Sequence, residues 1–203
     1  MRLPPLRGGG GPGWGRENEE HPILQAMTRR PLLLALPLLL GACVADTPDA
    51  YLGGLGDPVR GAALNAPRQF GDLSRWFGDP AGAARAVAQV EFLAEALDSD
   101  PRWAPQVQPT AALQMRVARR EVRDALGIAP AAPTGAVRPA LLAAADAIAQ
   151  GSPARAEAAL SAPAFAAGGR ATLERLARLP RLPRTAEAAG AVAAEFMRMD
   201  RLR

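Results

Sequence analysis

The sequence predicts an all-α fold, a small irregular helical bundle of about five to six helices behind a disordered N-terminal region. Three observations predict it. No segment alternates apolar and polar positions with β-branched residues, as a half-buried strand does. Aspartate or serine followed by proline marks several helix starts. Apolar residues recur at helical spacing in the longest segments.

The signals for starting and stopping helices define the elements in order. A helix is predicted from Pro80 to about Ser99, because Asp79 can cap it and proline is favoured at the first helical position. The next is predicted over 109–126, because Gly127 and Pro130 stop it. Shorter elements are predicted at 100–103, 136–150, 152–160, 169–179 and 185–201.

The predicted core is thin. Alanine accounts for 46 of the 203 residues, and from Ala66 onward only 32 of 138 residues are large and apolar. Each buried alanine removes little apolar surface from water, so we expect a modestly stable bundle. Trp103 is expected in the core. Val192, Phe196 and Met199 share one helix face and are expected there too, with a partner-docking helix as the alternative.

The most specific local pattern lies near the N-terminus. Arg29 and Arg30 precede ten residues, 31–40, that contain only leucine, alanine and proline, and small residues follow. A basic stretch, a short apolar stretch and small residues before a cleavage point predict a secretory signal peptide at 27–42. Ten residues reach only about 15 Å as a helix, against about 30 Å of bilayer core, so the segment is too short to span a membrane.

The run Leu-Gly-Ala-Cys at 40–43 resembles the lipobox of bacterial lipoproteins. That resemblance implies that Cys43 carries a diacylglyceryl thioether and an acylated amino group, and that it is the first mature residue. It implies a membrane partner through the lipid anchor and a domain that faces the periplasm. Val44, rather than aspartate, follows the cysteine, which favours the outer over the inner membrane. The alternative, a buried helix ending in a structural cysteine, is disfavoured by Pro31 and Pro37.

These patterns divide the chain into four parts. Residues 1–26 contain a run of four glycines. They are interpreted either as a disordered extension or as residues wrongly included upstream of a true translation start at Met27. Residues 27–42 are the predicted signal peptide. Residues 43–65 are rich in glycine, proline and aspartate and are predicted to be a lipidated flexible tether with a mean reach of roughly 25 Å. Residues 66–203 are the predicted helical domain.

Composition excludes several function classes for the mature chain. From Cys43 onward 19 arginines face 17 acidic residues, which is no nucleic-acid signature. The single histidine, His21, lies upstream, no lysine is present, and the single cysteine is assigned to lipid. A Ser-His-Asp triad, a Cys-His pair, a His/Cys metal site and a lysine Schiff base therefore lack their residues. We expect no cofactor, no metal and no enzyme, with a carboxylate-pair hydrolase as the remaining catalytic alternative.

Two helices carry opposite charged rows. Steps of 100° place the acidic residues of the first together, about 110° from its apolar stripe of Val90, Leu93, Ala94 and Leu97. They also place four arginines of the second helix together, about 110° from the apolar stripe of that helix and in the same rotational sense. An antiparallel hairpin would bring the rows face to face, which is the favoured interpretation. A solvated face and a site for an anion or a lipid headgroup remain the alternatives. The rows are Glu91, Glu95, Asp98 and Arg116, Arg119, Arg120, Arg123.

A short aromatic segment follows the predicted tether. Phe70, Leu73, Trp76 and Phe77 place four large apolar side chains within eight positions. The favoured interpretation is that the segment packs on its own domain. The alternatives are contact with a membrane interface or with a partner groove, for which Phe70, Trp76 and Phe77 are the candidate contacts.

Together these patterns predict a membrane-anchored lipoprotein that acts as a structural or interaction module, an adaptor or assembly factor, of the cell envelope. An envelope protein is then the expected partner. Binding of an anionic small molecule or a lipid headgroup by the arginine row is the second hypothesis, and a carboxylate-based hydrolase is the third.

Overall fold

The computed structural model describes residues 56–202, and these residues form an all-α fold, as predicted. A 3₁₀ helix at Leu73–Trp76 lies between the first two α-helices. One isolated antiparallel bridge joins Ile128 and Phe165, and within 56–202 no strand forms. The α-helices are α1 Pro58–Phe70, α2 Pro80–Ser99, α3 Pro109–Leu126, α4 Thr134–Ala149, α5 Pro153–Ala159, α6 Gly169–Leu176 and α7 Pro183–Arg201. The predicted extension, the signal peptide and Cys43 lie outside the described residues.

The best-predicted boundaries follow from capping chemistry. The Asp79 carboxylate accepts a hydrogen bond of 2.9 Å from the Gly82 N–H, which starts α2 behind Pro80. Gly127 ends α3 in the left-handed conformation, at φ +72°, where a side chain would be strained. Both helices therefore have the predicted bounds.

The predicted tether is wrong over residues 58–65, which belong to helix α1. Asp57 caps this helix by accepting 2.9 Å from the Arg60 N–H, and Pro58 occupies the first helical position. The glycine, proline and aspartate content that favoured a tether therefore includes a helix start of the same Asp-Pro type as at Asp79. This helix brings the number of α-helices in the described part to seven, above the predicted five to six.

Helix α2 is the centre of the bundle. It packs against α1, α3, α4, α6 and the 3₁₀ helix, and 15 of its 20 residues are buried. The predicted stripe of Val90, Leu93, Ala94 and Leu97 is buried, and so are Gln89 and Glu91 outside it. Alanine on the remaining faces lets neighbouring helices approach closely. A helix enclosed on all sides carries no single apolar stripe.

Helix α7 closes the bundle against α1 and α3. Val192, Phe196 and Met199 are buried, which confirms the predicted core face. Trp103 is also in the core, and its ring lies 4.9 Å from that of Phe196, centroid to centroid. Its indole Nε1 donates to the Asp57 carboxylate at 3.0 Å, so a buried aromatic ties the turn after α2 to the start of α1.

Candidate functional site

The charged rows of α2 and α3 meet, as the hairpin interpretation predicts. Their buried end is a two-pronged ion pair between Glu91 and Arg123. The guanidinium Nε donates to Oε1 and Nη2 donates to Oε2, both at 2.6 Å. The Glu91 side chain is 0% exposed and the Arg123 side chain 5%. Paired geometry of this kind is the strongest form of an Arg–carboxylate contact.

Arg123 also holds the loop that joins α3 to α4. Its Nη1 donates to the carbonyls of Pro130 at 2.9 Å and Ala132 at 2.8 Å. The Thr134 hydroxyl at the start of α4 donates to Glu91 Oε2 at 3.4 Å. Four guanidinium hydrogen bonds thus end on α2 and on the loop. Arg123 joins three segments of the fold and is not available to an external anion.

The outer end of the rows is exposed. Arg116 Nη1 contacts Asp98 Oδ1 at 2.6 Å, with both side chains nearly half exposed. Glu95 departs from the predicted pairing, since its nearest cation is Arg138 of α4 at 3.9 Å. Arg138 also lies over the Phe92 ring at 5.7 Å. The third acidic position is therefore shared with α4, a helix that the two-helix hypothesis did not include.

The two middle arginines, Arg119 and Arg120, face a small cavity of about 180 Å³. Arg119 is half-buried and Arg120 exposed, and within residues 56–202 neither forms an ion pair. Arg116, Arg123, Asp124 and Pro130 complete the wall, so the structure brings all four predicted arginines to one place. The arrangement offers guanidinium donors to an anion of phosphate size.

The aromatic segment divides into buried and exposed parts. Phe70 was a candidate interface contact and is wrong as such, because it is fully buried at the end of α1 with Leu73 beside it. Amphipathic spacing alone did not reveal that the rest of the domain covers this face. Trp76 is half-buried. Phe77 is 75% exposed, the largest exposed fraction among the large apolar side chains of the described part.

The segment is fixed to the domain at several points. The Trp76 Nε1 donates to the Gln69 carbonyl at 2.9 Å. The Trp76 ring occupies the space that a side chain at position 82 would fill, so it packs directly on α2 at Gly82. The Gly78 N–H donates 2.9 Å to the Ala177 carbonyl after α6. Most of the segment therefore packs on its own domain, as predicted, and Phe77 is the part that does not.

Sequence reasoning missed the network at the start of α1, because these residues lay in the predicted tether. Besides capping the helix, the Asp57 carboxylate accepts from the Trp103 indole and from Arg102 Nη1 at 2.7 Å. Arg60 forms a two-pronged pair with Asp200 of α7, at 3.1 and 2.6 Å, which raises the pKa of the Arg60 guanidinium. The Asp-Pro pair at 57–58 was the signal that could have found this helix.

A further carboxylate joins α7 to α3. Glu195 accepts two hydrogen bonds from Arg198, at 2.9 and 2.7 Å, and one of 2.9 Å from the Gln108 N–H. The bonds from Arg198, and then that from Gln108, hold the pKa of Glu195 below its usual value. Gln108 is the residue before α3 and makes no side-chain cap, so Glu195 satisfies a donor at this helix start.

No family model, no curated protein and no solved structure matches the chain. Among residues 56–202 no three His, Cys, Asp or Glu side chains come together as metal ligands would. Within the same range, no helix has both the length and the apolar character of a membrane span. The function is therefore inferred from the residues of this chain.

Proposed function

We propose that the protein is a lipid-anchored, periplasm-facing module of the cell envelope with a structural or interaction role. The observation that carries the proposal is the lipobox-like run at 40–43, which follows a signal-peptide pattern and precedes the helical domain. Fourteen residues, 44–57, separate Cys43 from the first residue of α1 at Pro58. The lipid would therefore hold the domain close to the bilayer.

The start of the domain is built to resist displacement, which supports an anchored role. Asp57, the last residue before α1, accepts hydrogen bonds from the Arg60 N–H, Arg102 and Trp103. One turn further on, Arg60 is paired with Asp200 near the other end of the chain. A pull transmitted through the preceding segment would act on a helix start that is bonded to two other parts of the domain.

An interaction role is supported by apolar side chains on the outer surface. Leu113 and Val117 lie one turn apart on the exposed face of α3, and both are exposed. A helix face of this kind is a common contact for a second protein. An envelope protein is the proposed partner.

Intact mass spectrometry of the native protein tests the anchor. The expected mature chain begins at Cys43 and carries the added mass of a diacylglyceryl group and an amide-linked acyl chain. The Cys43→Ala variant should keep the upstream residues and carry no lipid. A native chain that begins at Met1 or Met27 with an unmodified cysteine would contradict the proposal.

The second candidate function is the binding of a small anion at the arginine row. The cavity of about 180 Å³ between Arg116, Arg119 and Arg120 favours it. It ranks second because Arg123 and Arg116 already contact Glu91 and Asp98. Two of the four predicted cations are therefore neutralised within the domain.

Calorimetric titration with inorganic phosphate tests this second candidate. Arg119→Gln/Arg120→Gln should abolish binding, whereas Arg155→Gln/Arg201→Gln removes the same charge elsewhere and should not. Absence of phosphate binding by the unmodified protein, or equal loss in both double variants, would exclude the row as the site.

A further inference from the structure

An exposed aromatic side chain projects from the corner between the 3₁₀ helix and α2. Phe77 follows the 3₁₀ helix directly and is 75% exposed. A single exposed apolar residue is ordinary on a protein surface and by itself indicates nothing. What distinguishes Phe77 is its surroundings. Four exposed arginines lie on the segments that meet at this corner, Arg68, Arg75, Arg178 and Arg181.

Several contacts show that these segments share one corner. The Arg75 guanidinium donates to the Arg68 carbonyl at the end of α1. The Gly78 N–H donates to the Ala177 carbonyl, which precedes Arg178. After the hydrogen bonds from Ser74, the charges of Arg181 and Arg75 further lower the pKa of Asp72. We call Phe77 and the four arginines the Phe77 patch.

The backbone holds Phe77 in its projecting position. Its own N–H donates 3.0 Å to the Ser74 carbonyl, and the Asp79 N–H donates 2.8 Å to the Trp76 carbonyl. Gly78 turns the chain with φ +78°, which a residue with a side chain adopts only with strain. The aromatic side chain is thus presented by a fixed turn, and little backbone entropy is lost when it inserts into another phase.

The charge balance of the corner is positive. The segments that form the corner, 68–79 and 177–181, contain two carboxylates, Asp72 and Asp79, and both are engaged in local bonds. Asp72 accepts 2.6 Å from the Ser74 hydroxyl, and Asp79 accepts from the Gly82 N–H at the start of α2. The Arg75 guanidinium lies over the Trp76 ring, 5.1 Å from its centroid, and Arg75 is exposed. Four arginines therefore outnumber two locally bonded acids.

We propose that the Phe77 patch rests on an anionic lipid surface, with Phe77 inserted at headgroup depth and the arginines on lipid phosphates. Aromatic side chains favour the membrane interface, and each nearby arginine adds attraction to anionic lipid. This inference rests on the proposed lipid anchorage. It adds a second membrane contact at a defined corner of the domain and so sets how the domain lies on the bilayer.

The distances allow both contacts at once. The patch lies at the C-terminal end of α1, and 13 helical residues span about 20 Å. The 14 residues between Cys43 and Pro58 can reach at most about 50 Å when fully extended. A lipid at Cys43 therefore leaves enough chain for the far end of α1 to reach the same bilayer.

Vesicle flotation of the full chain tests the patch without the anchor. All proteins carry Cys43→Ser, so none can be lipidated. The patch variants are Phe77→Ser and Arg75→Gln/Arg178→Gln/Arg181→Gln. The matched control, Arg155→Gln/Arg170→Gln/Arg201→Gln, removes the same charge from exposed arginines elsewhere. Vesicles contain phosphatidylglycerol, or phosphatidylcholine alone.

Each patch variant should bind phosphatidylglycerol vesicles at least about tenfold more weakly than the parent, and the control should match the parent. High salt should abolish the difference for the arginine variant, because salt screens the attraction between arginine and lipid phosphate. Any binding by the apolar segment 31–40 is common to all proteins and persists on phosphatidylcholine. Equal binding by patch and control variants would overturn the inference. If the patch variants lose binding to an envelope protein while their vesicle binding is unchanged, the inference is also overturned.

The two proposals can fail separately. If the mass spectrum shows no lipid on Cys43 and the patch variants still lose vesicle binding, the anchor is wrong and the patch is a membrane contact on its own. If Cys43 is lipidated and the variants bind vesicles like the control, the patch is wrong and the anchor stands. Thermal melting followed by circular dichroism confirms that each variant is folded.

Discussion

Two ion pairs connect α2 to α3, and they differ in their exposure to water and in the number of hydrogen bonds that join the two side chains. The shortest nitrogen–oxygen distance is 2.6 Å in Glu91–Arg123 and also 2.6 Å in Asp98–Arg116. The first pair is 0% and 5% exposed, and the second 47% and 45%. The shortest contacts are therefore equal in length, whereas Glu91–Arg123 has a second hydrogen bond and its buried charges cost more to separate.

Burial changes what each arginine does. Arg123 is enclosed, and its remaining donors end on the carbonyls of Pro130 and Ala132 in the loop between α3 and α4. Arg116 and Asp98 are nearly half exposed, so solvent screens their attraction and can hydrate either charge when the contact opens. The buried pair defines how three segments fit together, and the exposed pair adds little.

The largest effect is expected from breaking the buried pair at one side. Arg123→Met leaves the Glu91 carboxylate buried and unpaired and orphans two loop carbonyls. The free energy of unfolding should fall by about 3–5 kcal/mol, measured by urea denaturation. Arg120→Met, on the exposed side of the same helix, is the matched control and should change it by less than about 0.5 kcal/mol. A loss below about 1 kcal/mol for Arg123→Met would contradict the role assigned to burial.

The double variant Glu91→Leu/Arg123→Met sharpens the same test. Removing both charges avoids the unpaired carboxylate, and such replacements are often close to neutral in stability. Here the Pro130 and Ala132 carbonyls still lose their donor, so the double variant should recover part of the loss and not all of it. Full recovery would show that the loop bonds contribute nothing.

Local sequence was sufficient for the two helices and for the pairing of their rows. Asp79-Pro80 and Gly127 are chemical signals that act within a few residues, and both helices have the predicted bounds. Rotation by 100° per residue, in an antiparallel hairpin, then placed the acidic row that includes Glu91 opposite the basic row that includes Arg123. The burial of that pair could not be predicted, because it depends on α4 and the loop at 130–134, which approach from elsewhere in the chain.

The residues that were wrongly assigned were wrong for one physical reason: their surroundings depend on distant parts of the chain. Phe70 looked like a surface contact because its own segment is amphipathic, yet it is fully buried. Asp57 looked like part of a tether because composition was averaged over a window that ended inside a helix. Phe77 was the correct member of the candidate contacts in one respect: it is exposed. Which side of an amphipathic segment stays exposed is decided by long-range packing.

The pair Glu195–Arg198 is intermediate, at 7% and 39% exposure, and predicts a pH effect. Because the pKa of folded Glu195 is lowered, its carboxylate stabilises the fold above the ordinary value of 4.5, and this stabilisation is lost as the pH falls through the lower folded value. Urea denaturation at a series of acidic pH values measures how the free energy of unfolding depends on pH. This free energy should fall less steeply with decreasing pH for Glu195→Gln than for the parent. Glu187→Gln removes the acid of an exposed pair at the same spacing, with Arg184, and is the control. The same pH dependence of the unfolding free energy in the parent and in Glu195→Gln would contradict the stabilising role of the Glu195 carboxylate.

The smallest effect is expected at the exposed pair. Arg116→Gln and Asp98→Asn, singly and together, form a double-mutant cycle whose coupling free energy should not exceed about 0.5 kcal/mol at low salt and should vanish at high salt. The 2.6 Å contact alone would suggest a much larger value. A coupling above about 1 kcal/mol that persists in salt would mean that distance, and not access of water, sets the strength of both pairs. The contrast with Arg123 would then have to come from its second hydrogen bond to Glu91 and from its bonds to the loop carbonyls.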